Sequence, residues 1–442
     1  MVSVQNRQSA YSNATFNWRQ RFSTVARRTL PPEINWLMAQ ALEDPDIISL
    51  AAGFVDQESL PHEEFAGLLR EVMEQAQNGR AALQYGTTQG DLEFRIKLID
   101  RLRREQVISS NSEIDASHCL VGSGSQQILY LAAEALLDEE DIVLLEAPTY
   151  FVVLGVFKSR GAQTIGIDTD EHGLIPERLE ECLEQLKREK RLSRVKMLYL
   201  MSYATNPLGV TLPQERRRQI LSILQRYRDG GFPILLVEDA AYRRLVIDGE
   251  CPHPIKRFDD SNQQILYTES FSKSLSPGLR LGFGVGPKEL IDKMIDIKGN
   301  HDFGSSNMAQ QIIKTVMQSG LFDQHLKTLQ SIYRRKRDIA LNVLEKYFPP
   351  EAKWLRPSGG FYTWVVLPEA VDTSAKGHFF QTALQEKVLY VPGDLCYSSD
   401  RPESKRSSAM RLSYGMIGEQ ALQEGYKRLA RAMEKEISTL TA

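Results

Sequence analysis

Cysteine is scarce: Cys119, Cys182, Cys251 and Cys396 are the four in 442 residues, and no Cys-x-x-Cys pair occurs. That spacing excludes a disulfide scaffold and a zinc knuckle, and it points to a reducing compartment such as the cytoplasm. The seven histidines form no ligand pattern, and neither His-Glu-x-x-His nor Gly-x-Ser-x-Gly is present, so no metal site is expected. No window approaches the roughly 18 uninterrupted apolar residues of a membrane span. The best stretch, Ile142 to Phe157, is broken by Glu146 and Pro148. Internal repeats and low-complexity tracts are also missing, which removes solenoid, collagen-like and disordered readings. With 57 acids against 54 lysines and arginines, a formal charge of −3, no basic surplus is left for nucleic acid.

What is present is an ordinary globular composition, 42% hydrophobic and 25% charged. Single cores stop growing at about 250–300 residues, so this length predicts two domains. The small net charge hides an asymmetry. From Met1 to Leu30 there are five arginines, Arg7, Arg19, Arg21, Arg27 and Arg28, and no acid, so the arm is +5 and the remainder −8. An organellar import address, a nucleic-acid-binding tail and an arm packed on a partner subunit all fit that composition. Tyr11, Phe16, Trp18 and Phe22 favour packing, because solvated tails carry few aromatics.

Pro31, Pro32 and Glu33 precede Ile34, Leu37, Met38 and Leu42 at helical spacing, which predicts a first helix opened by proline. A helix over 63–78 follows. β-branched runs at 118–121, 142–145, 164–167, 195–201, 234–237, 265–268 and 281–285 are then mostly separated by helix-length segments such as 126–137 and 214–228. That rhythm predicts an α/β fold, a mostly parallel seven-stranded sheet with helices on both faces. One connection departs from it. Between Thr268 and Leu281 only about a dozen residues intervene, too few for a helical crossover of the usual length, so one antiparallel strand is expected there. From about residue 310 long charged helices, for example 326–347, lead into short strands near 360–367 and beyond, and then a final helix, a smaller α+β domain.

The chemistry concentrates in Ser270-Phe271-Ser272-Lys273-Ser274-Leu275-Ser276-Pro277-Gly278-Leu279-Arg280-Leu281-Gly282. Two hydroxyls, a lysine and an arginine on a tight loop after a buried strand are what holding a phosphate dianion beside a reactive amine requires. The segment resembles the Ser-x-Ser-Lys-x-x-x-Pro-Gly-x-Arg-x-Gly signature of the class I/II aminotransferases, fold type I enzymes that use pyridoxal 5′-phosphate. Further segments match in the same order, over about residues 45–435. The resemblance makes Lys273 the covalent anchor and catalytic base. It assigns Asp239, in Asp239-Ala240-Ala241-Tyr242, to the pyridine nitrogen, and Tyr242 and Asn206 to the ring 3′-oxygen. Asn206 stands in Asn-Pro-Leu-Gly, where the family usually has Asn-Pro-Thr-Gly.

Gly122-Ser123-Gly124-Ser125-Gln126 opens a helix after a strand, a terminus suited to an anion. By resemblance Ser125 and Gln126 join Ser270, Ser272 and Arg280 around the phosphate, and Tyr150 stacks on the cofactor ring. Tyr85 resembles the tyrosine that reaches the neighbouring subunit's phosphate, which implies a homodimer with shared sites. Arg411 resembles the arginine that takes the substrate α-carboxylate, beside Asn206, and Gly53 the glycine that approaches the substrate. The family's layout implies a large domain over 66–310, a small one from 46–65 and 311–442, and an arm with the first helix over 1–45.

The function implied is transfer of an amino group from an L-amino acid to a 2-oxo acid with ping-pong kinetics. The alternative is a carbon–sulfur lyase or an aminocyclopropane-carboxylate synthase-like enzyme on the same scaffold, since the lyases share the same core residues and Asn-Pro-Leu-Gly also occurs in the synthases. Neither nucleic acid nor membrane is an expected partner.

Overall fold

The computed structural model describes residues 17–441 apart from positions 32, 75, 399 and 401–406. Arg7, Tyr11, Phe16 and Pro32 therefore lie outside the described residues. In chain order the strands are β1 (Ile48–Ser49), β2 (Cys119–Gly122), β3 (Ile142–Ala147), β4 (Gln163–Asp170), β5 (Gly173–Leu174), β6 (Val195–Met201) and β7 (Leu235–Asp239). They continue with β8 (Ile265–Ser270), β9 (Gly282–Val285), β10 (Lys353–Trp354), β11 (Tyr362–Val366), β12 (Val388–Leu389), β13 (Val391–Pro392) and β14 (Ala409–Ser413).

The main sheet has the order β2-β9-β8-β7-β6-β3-β4-β5. All seven expected strands form, and β5 adds an eighth, a two-residue edge piece antiparallel to β4 and too short for periodicity to reveal. β9 is antiparallel to both neighbours, β2 and β8, because the connection from β8 is a hairpin-length loop rather than a crossover. The apolar run that opens β3, Ile142 to Leu145, is buried throughout, as both faces of a parallel sheet require. Val143 and Leu145 join the core under one face with Tyr199, whereas Ile142 and Leu144 join the core under the other with Leu198.

The smaller sheet, β10-β11-β14-β13, is antiparallel, and β1 pairs in parallel with β12. Two long helices, Leu321–Tyr347 and Glu419–Thr441, pack against each other beside it. The stretch expected as one helix over 63–78 is two, His62–Glu74 and Ala76–Leu83. The short helix Thr24–Arg28 lies along Phe151–Arg160, and Arg28 pairs with Glu139. Trp18 and Phe22 stay exposed on this chain.

A buried ion pair ties the segment after β1 to the long helix. Lys336 Nζ lies 2.6 Å from Asp56 Oδ1 and donates to the Gly415 carbonyl at 2.9 Å, while Asp56 N donates to the Tyr333 hydroxyl. Removing the lysine leaves a buried carboxylate without its counter-charge, with the Ser59 N–H as its remaining donor. Lys336→Met is expected to lower unfolding stability by about 3–5 kcal/mol in denaturant titration, and adding Asp56→Asn recovers part of it. An effect below about 1 kcal/mol contradicts this.

Candidate active site

Ser270 ends β8 and caps the four-residue helix Phe271–Ser274, its Oγ accepting from Ser272 N at 3.1 Å. That turn delivers Lys273 inward. Its Nζ donates to the Gly53 carbonyl at 2.8 Å and lies 5.5 Å from the Phe361 ring centre. Burial above all, then the Arg411 and Arg280 guanidinium charges, bring its pKa from 10.5 down to about 8. Among the described residues three lysines are more deeply buried, and each has a carboxylate: Lys256 with Asp259, Lys298 with Asp302, Lys336 with Asp56. Lys273 instead faces cations and a carbonyl, an environment that favours the free amine.

Beside it lies an anion cradle. Gly124, at φ +81°, is the N-cap of helix Ser125–Leu136, so the first amides of that helix are open. A Cβ on Gly282 would stand 2.6 Å from Ser125 N and 2.7 Å from Gly124 C, so glycine is what allows β9 to run against this turn. Arg280, in the left-handed region at φ +49°, reaches Ser272 Oγ and the Ser123 carbonyl, both at 3.4 Å. Gln126 Oε1 is buried and unpartnered. Gln127 braces the turn from behind, accepting from Ser123 N at 2.7 Å and from Lys298 Nζ at 3.1 Å, and donating to Asp302 at 2.7 Å.

Asp239 ends β7, next to β8, and is buried. Its Oδ2 accepts from the Tyr199 hydroxyl and its Oδ1 from Ala241 N, both at 3.0 Å. Burial raises its pKa from 3.8 to about 6 against those two bonds. Glu146, buried at the end of β3, accepts from Met201 N at 3.2 Å, and burial holds its carboxyl well above the ordinary range, with Asp239 adding to the effect.

Arg411 on β14 is 2% exposed. Its Nη1 donates to Asn206 Oδ1 at 3.0 Å and its Nη2 to the Ala51 carbonyl at 2.7 Å, while Nε is buried and unpartnered. With Oδ1 engaged, the Asn206 amide nitrogen remains as a donor. The Arg411 guanidinium lies 4.3 Å from the centre of the Tyr362 ring and 5.4 Å from that of Phe151. The Tyr242 and Tyr362 hydroxyls meet at 3.0 Å. Tyr150, at the N-cap of Phe151–Arg160, has its phenol pushed up by burial, with Tyr362, Asp239, Arg411 and Arg280 contributing to its surroundings.

The fold thus gathers Lys273, Asp239, Tyr242, Asn206, Arg411, Gly53 and Tyr150 near the cradle of Ser125, Gln126, Ser270, Ser272 and Arg280. Tyr85 stands apart, 82% exposed, with an edge contact to Phe303. Sequence reasoning missed Tyr199, Tyr362 and the Gln127–Lys298–Asp302 brace. Tyr199 sits in an apolar strand where a tyrosine carries no signal. Tyr362 did carry one, since Gly359-Gly360 before it marks a close backbone approach.

The raised pKa of Asp239 has a sign for stability. A carboxyl whose folded value exceeds its unfolded one contributes fully below pH 3.8, and that contribution is lost as pH rises through about 6. Above that range the loss is on the order of 3 kcal/mol. Asp239→Asn is expected to raise the melting temperature of protein without added cofactor at pH 7.5, and by less at pH 5. An Asn variant less stable at pH 7.5 contradicts this.

The cradle with its orphaned carboxamide, the low-pKa amine and the open edge of Arg411 fit a phosphate-bearing carbonyl cofactor and a carboxylate substrate. Comparison with known proteins points the same way. The aromatic-amino-acid aminotransferase 1 of Thermococcus litoralis is 32% identical over 423 residues, covering 96% of each chain. The 2-aminoadipate transaminase of Thermus thermophilus is 31% identical, covering 95% of this chain and 98% of its own. The kynurenine aminotransferase of Pyrococcus horikoshii, solved with PMP, superimposes with a TM-score of 0.87 at 33% identity, covering 95% of this chain and 98% of that one. The model of the family "Aminotransferase class I and II" matches residues 45–429, and the chain belongs to that family.

Proposed function

We propose that this aminotransferase carries pyridoxal 5′-phosphate on Lys273 and uses the side chains gathered around it to move an amino group between L-amino acids and 2-oxo acids. The observation that carries the assignment is the Lys273 amine, buried without a carboxylate and set between an anion cradle and a buried guanidinium. When bound, the cofactor supplies a carbonyl for amines and a protonated ring that withdraws electrons from the substrate Cα.

The chain's own residues do the rest. Ser125, Gln126, Ser270, Ser272 and Arg280 hold the phosphate, with charge-assisted bonds from Arg280 and the helix amides. The Asp239 carboxylate keeps the ring nitrogen protonated, and a cation there would stabilise the ionised form that burial alone disfavours. Tyr242 and the Asn206 amide donate to the ring oxygen, and Tyr150 stacks on the ring. Arg411 takes the α-carboxylate on the edge that includes its unpartnered Nε, which fixes which Cα bond faces the amine. Lys273, neutral once displaced, moves the Cα proton. Gly53 leaves room for the substrate.

Phe151, Tyr150, Phe361 and Tyr362 surround these groups with rings, which supports amino donors with apolar or aromatic side chains. The N-terminal arm offers Arg19, Arg21, Arg27 and Arg28 to a substrate's distal carboxylate; of these, Arg27 donates to the Phe22 carbonyl and Arg28 pairs with Glu139. Exposure of Tyr85, Leu83, Leu92 and Phe303 supports a homodimer in which Tyr85 reaches the partner's phosphate. The layout supports a large domain over 66–310 and a small one from 46–65 and 311–442. No helix among the described residues is long and apolar enough to cross a membrane, and the four cysteines are free, which supports a cytoplasmic enzyme.

The test is a half-reaction. Adding L-phenylalanine, L-tyrosine or L-2-aminoadipate to the loaded enzyme should bleach its visible band stoichiometrically, with one equivalent of 2-oxo acid and no ammonia. Lys273→Ala should lower that rate about 10²–10⁴-fold. Catalytic release of ammonia would assign the chain to lyase chemistry instead.

A further inference from the structure

Tyr362 is 2% exposed and occupies the junction of three parts of the site. Its ring lies under the Arg411 guanidinium, and its hydroxyl is 3.0 Å from that of Tyr242. It also abuts Gly53, whose carbonyl accepts from Lys273: a Cβ there would stand 2.5 Å from the Tyr362 hydroxyl oxygen.

The backbone fixes this meeting. Val246 and Gly359 form an antiparallel bridge, Gly360 N donates to the Leu245 carbonyl at 2.9 Å, and Ile247 N to the Ser358 carbonyl at 2.9 Å. A Cβ on Gly359 would lie 2.2 Å from the Leu245 carbonyl oxygen, so only glycine lets the turn after Tyr242 zip against the start of β11. On β11 and β14, Tyr362 pairs with Ser413 and Trp364 with Arg411, so Tyr362 and Arg411 are diagonal neighbours on one face.

We propose that Tyr362 is a positioning residue whose hydroxyl backs Tyr242 as a hydrogen-bond donor to the cofactor's ring oxygen, while its ring seats Arg411. The proposal rests on the cofactor reading above. Tyr242 donates to Tyr362 in this structure. Hydroxyl hydrogens rotate, so an acceptor placed before Tyr242 draws its hydrogen and leaves Tyr362 to donate in turn. A chain of two hydroxyls polarises the terminal O–H and strengthens it as a donor. A stronger donor withdraws density from the ring oxygen and loosens the proton on the adjacent Lys273 nitrogen. The other ionisable groups facing this pair are Arg411 on β14, Tyr150 at the start of its helix and Tyr333 on the long helix, and Arg280 faces Lys273 together with Arg411; all are left in place by the substitution below.

The experiment compares wild type and Tyr362→Phe, each loaded with pyridoxal 5′-phosphate. The readouts are the midpoint pH of the visible band and the cofactor's dissociation constant. The expected result is a midpoint raised by about half a pH unit and a two- to three-fold weaker affinity. An unchanged midpoint overturns the inference. Absence of any visible band in wild type overturns instead the cofactor reading on which it rests. A second pair guards the geometry: Gly53→Ala should weaken cofactor binding, and Gly53→Ala with Tyr362→Phe should restore most of it. Equal impairment in both backgrounds contradicts the contact.

Discussion

The site is organised around the burial of one arginine. A guanidinium at 2% exposure has left water, and it is tolerated only because its donors find partners in the interior. Those partners come from distant stretches of chain: the Asn206 side chain beyond β6 and the Ala51 carbonyl following β1. Arg411 itself is on β14 of the smaller sheet, so a single side chain ties that sheet, the N-terminal segment and the main sheet to one point. Its remaining unpartnered nitrogen is an unfinished electrostatic account that a substrate carboxylate would complete.

Around that point the parallel sheet does what its topology allows. Adjacent β7 and β8 end at the same edge, which places Asp239 and the Ser270–Lys273 turn side by side. Because β9 returns antiparallel after a short loop, Arg280 is carried back to the start of helix Ser125–Leu136, beside β2. The antiparallel strand is therefore what closes the anion cradle. The same compactness shifts acidity: burial lowers the Lys273 amine and raises the Asp239 carboxyl, so both sit closer to neutrality than in water.

Much of this was legible in the sequence. Strand runs such as Val195–Met201 and Ile142–Ala147 announce themselves by mostly apolar composition, and the short link from β8 to β9 announces the reversal. Ser270, Ser272, Lys273 and Arg280 lie within eleven residues, so local pattern finds them together. Tyr199 and Tyr362 illustrate what is not legible. Their importance arises from a partner 40 residues away in one case and 120 in the other; Gly359-Gly360 marks a close backbone approach before Tyr362, but nothing nearby marks either tyrosine as polar in purpose. Likewise Lys298 looks like any helix lysine until the fold brings it to Gln127 behind the cradle. The two-residue β5 was beyond periodicity altogether.

The central claim is that Lys273, rather than one of the three carboxylate-paired buried lysines, carries the cofactor. Borohydride reduction of the loaded enzyme followed by peptide mapping tests it directly. The account predicts a pyridoxyl group on the peptide containing Lys273, and its disappearance when an amino donor is added before reduction. A label on Lys256, Lys298 or Lys336, or on none of the lysines, would contradict it.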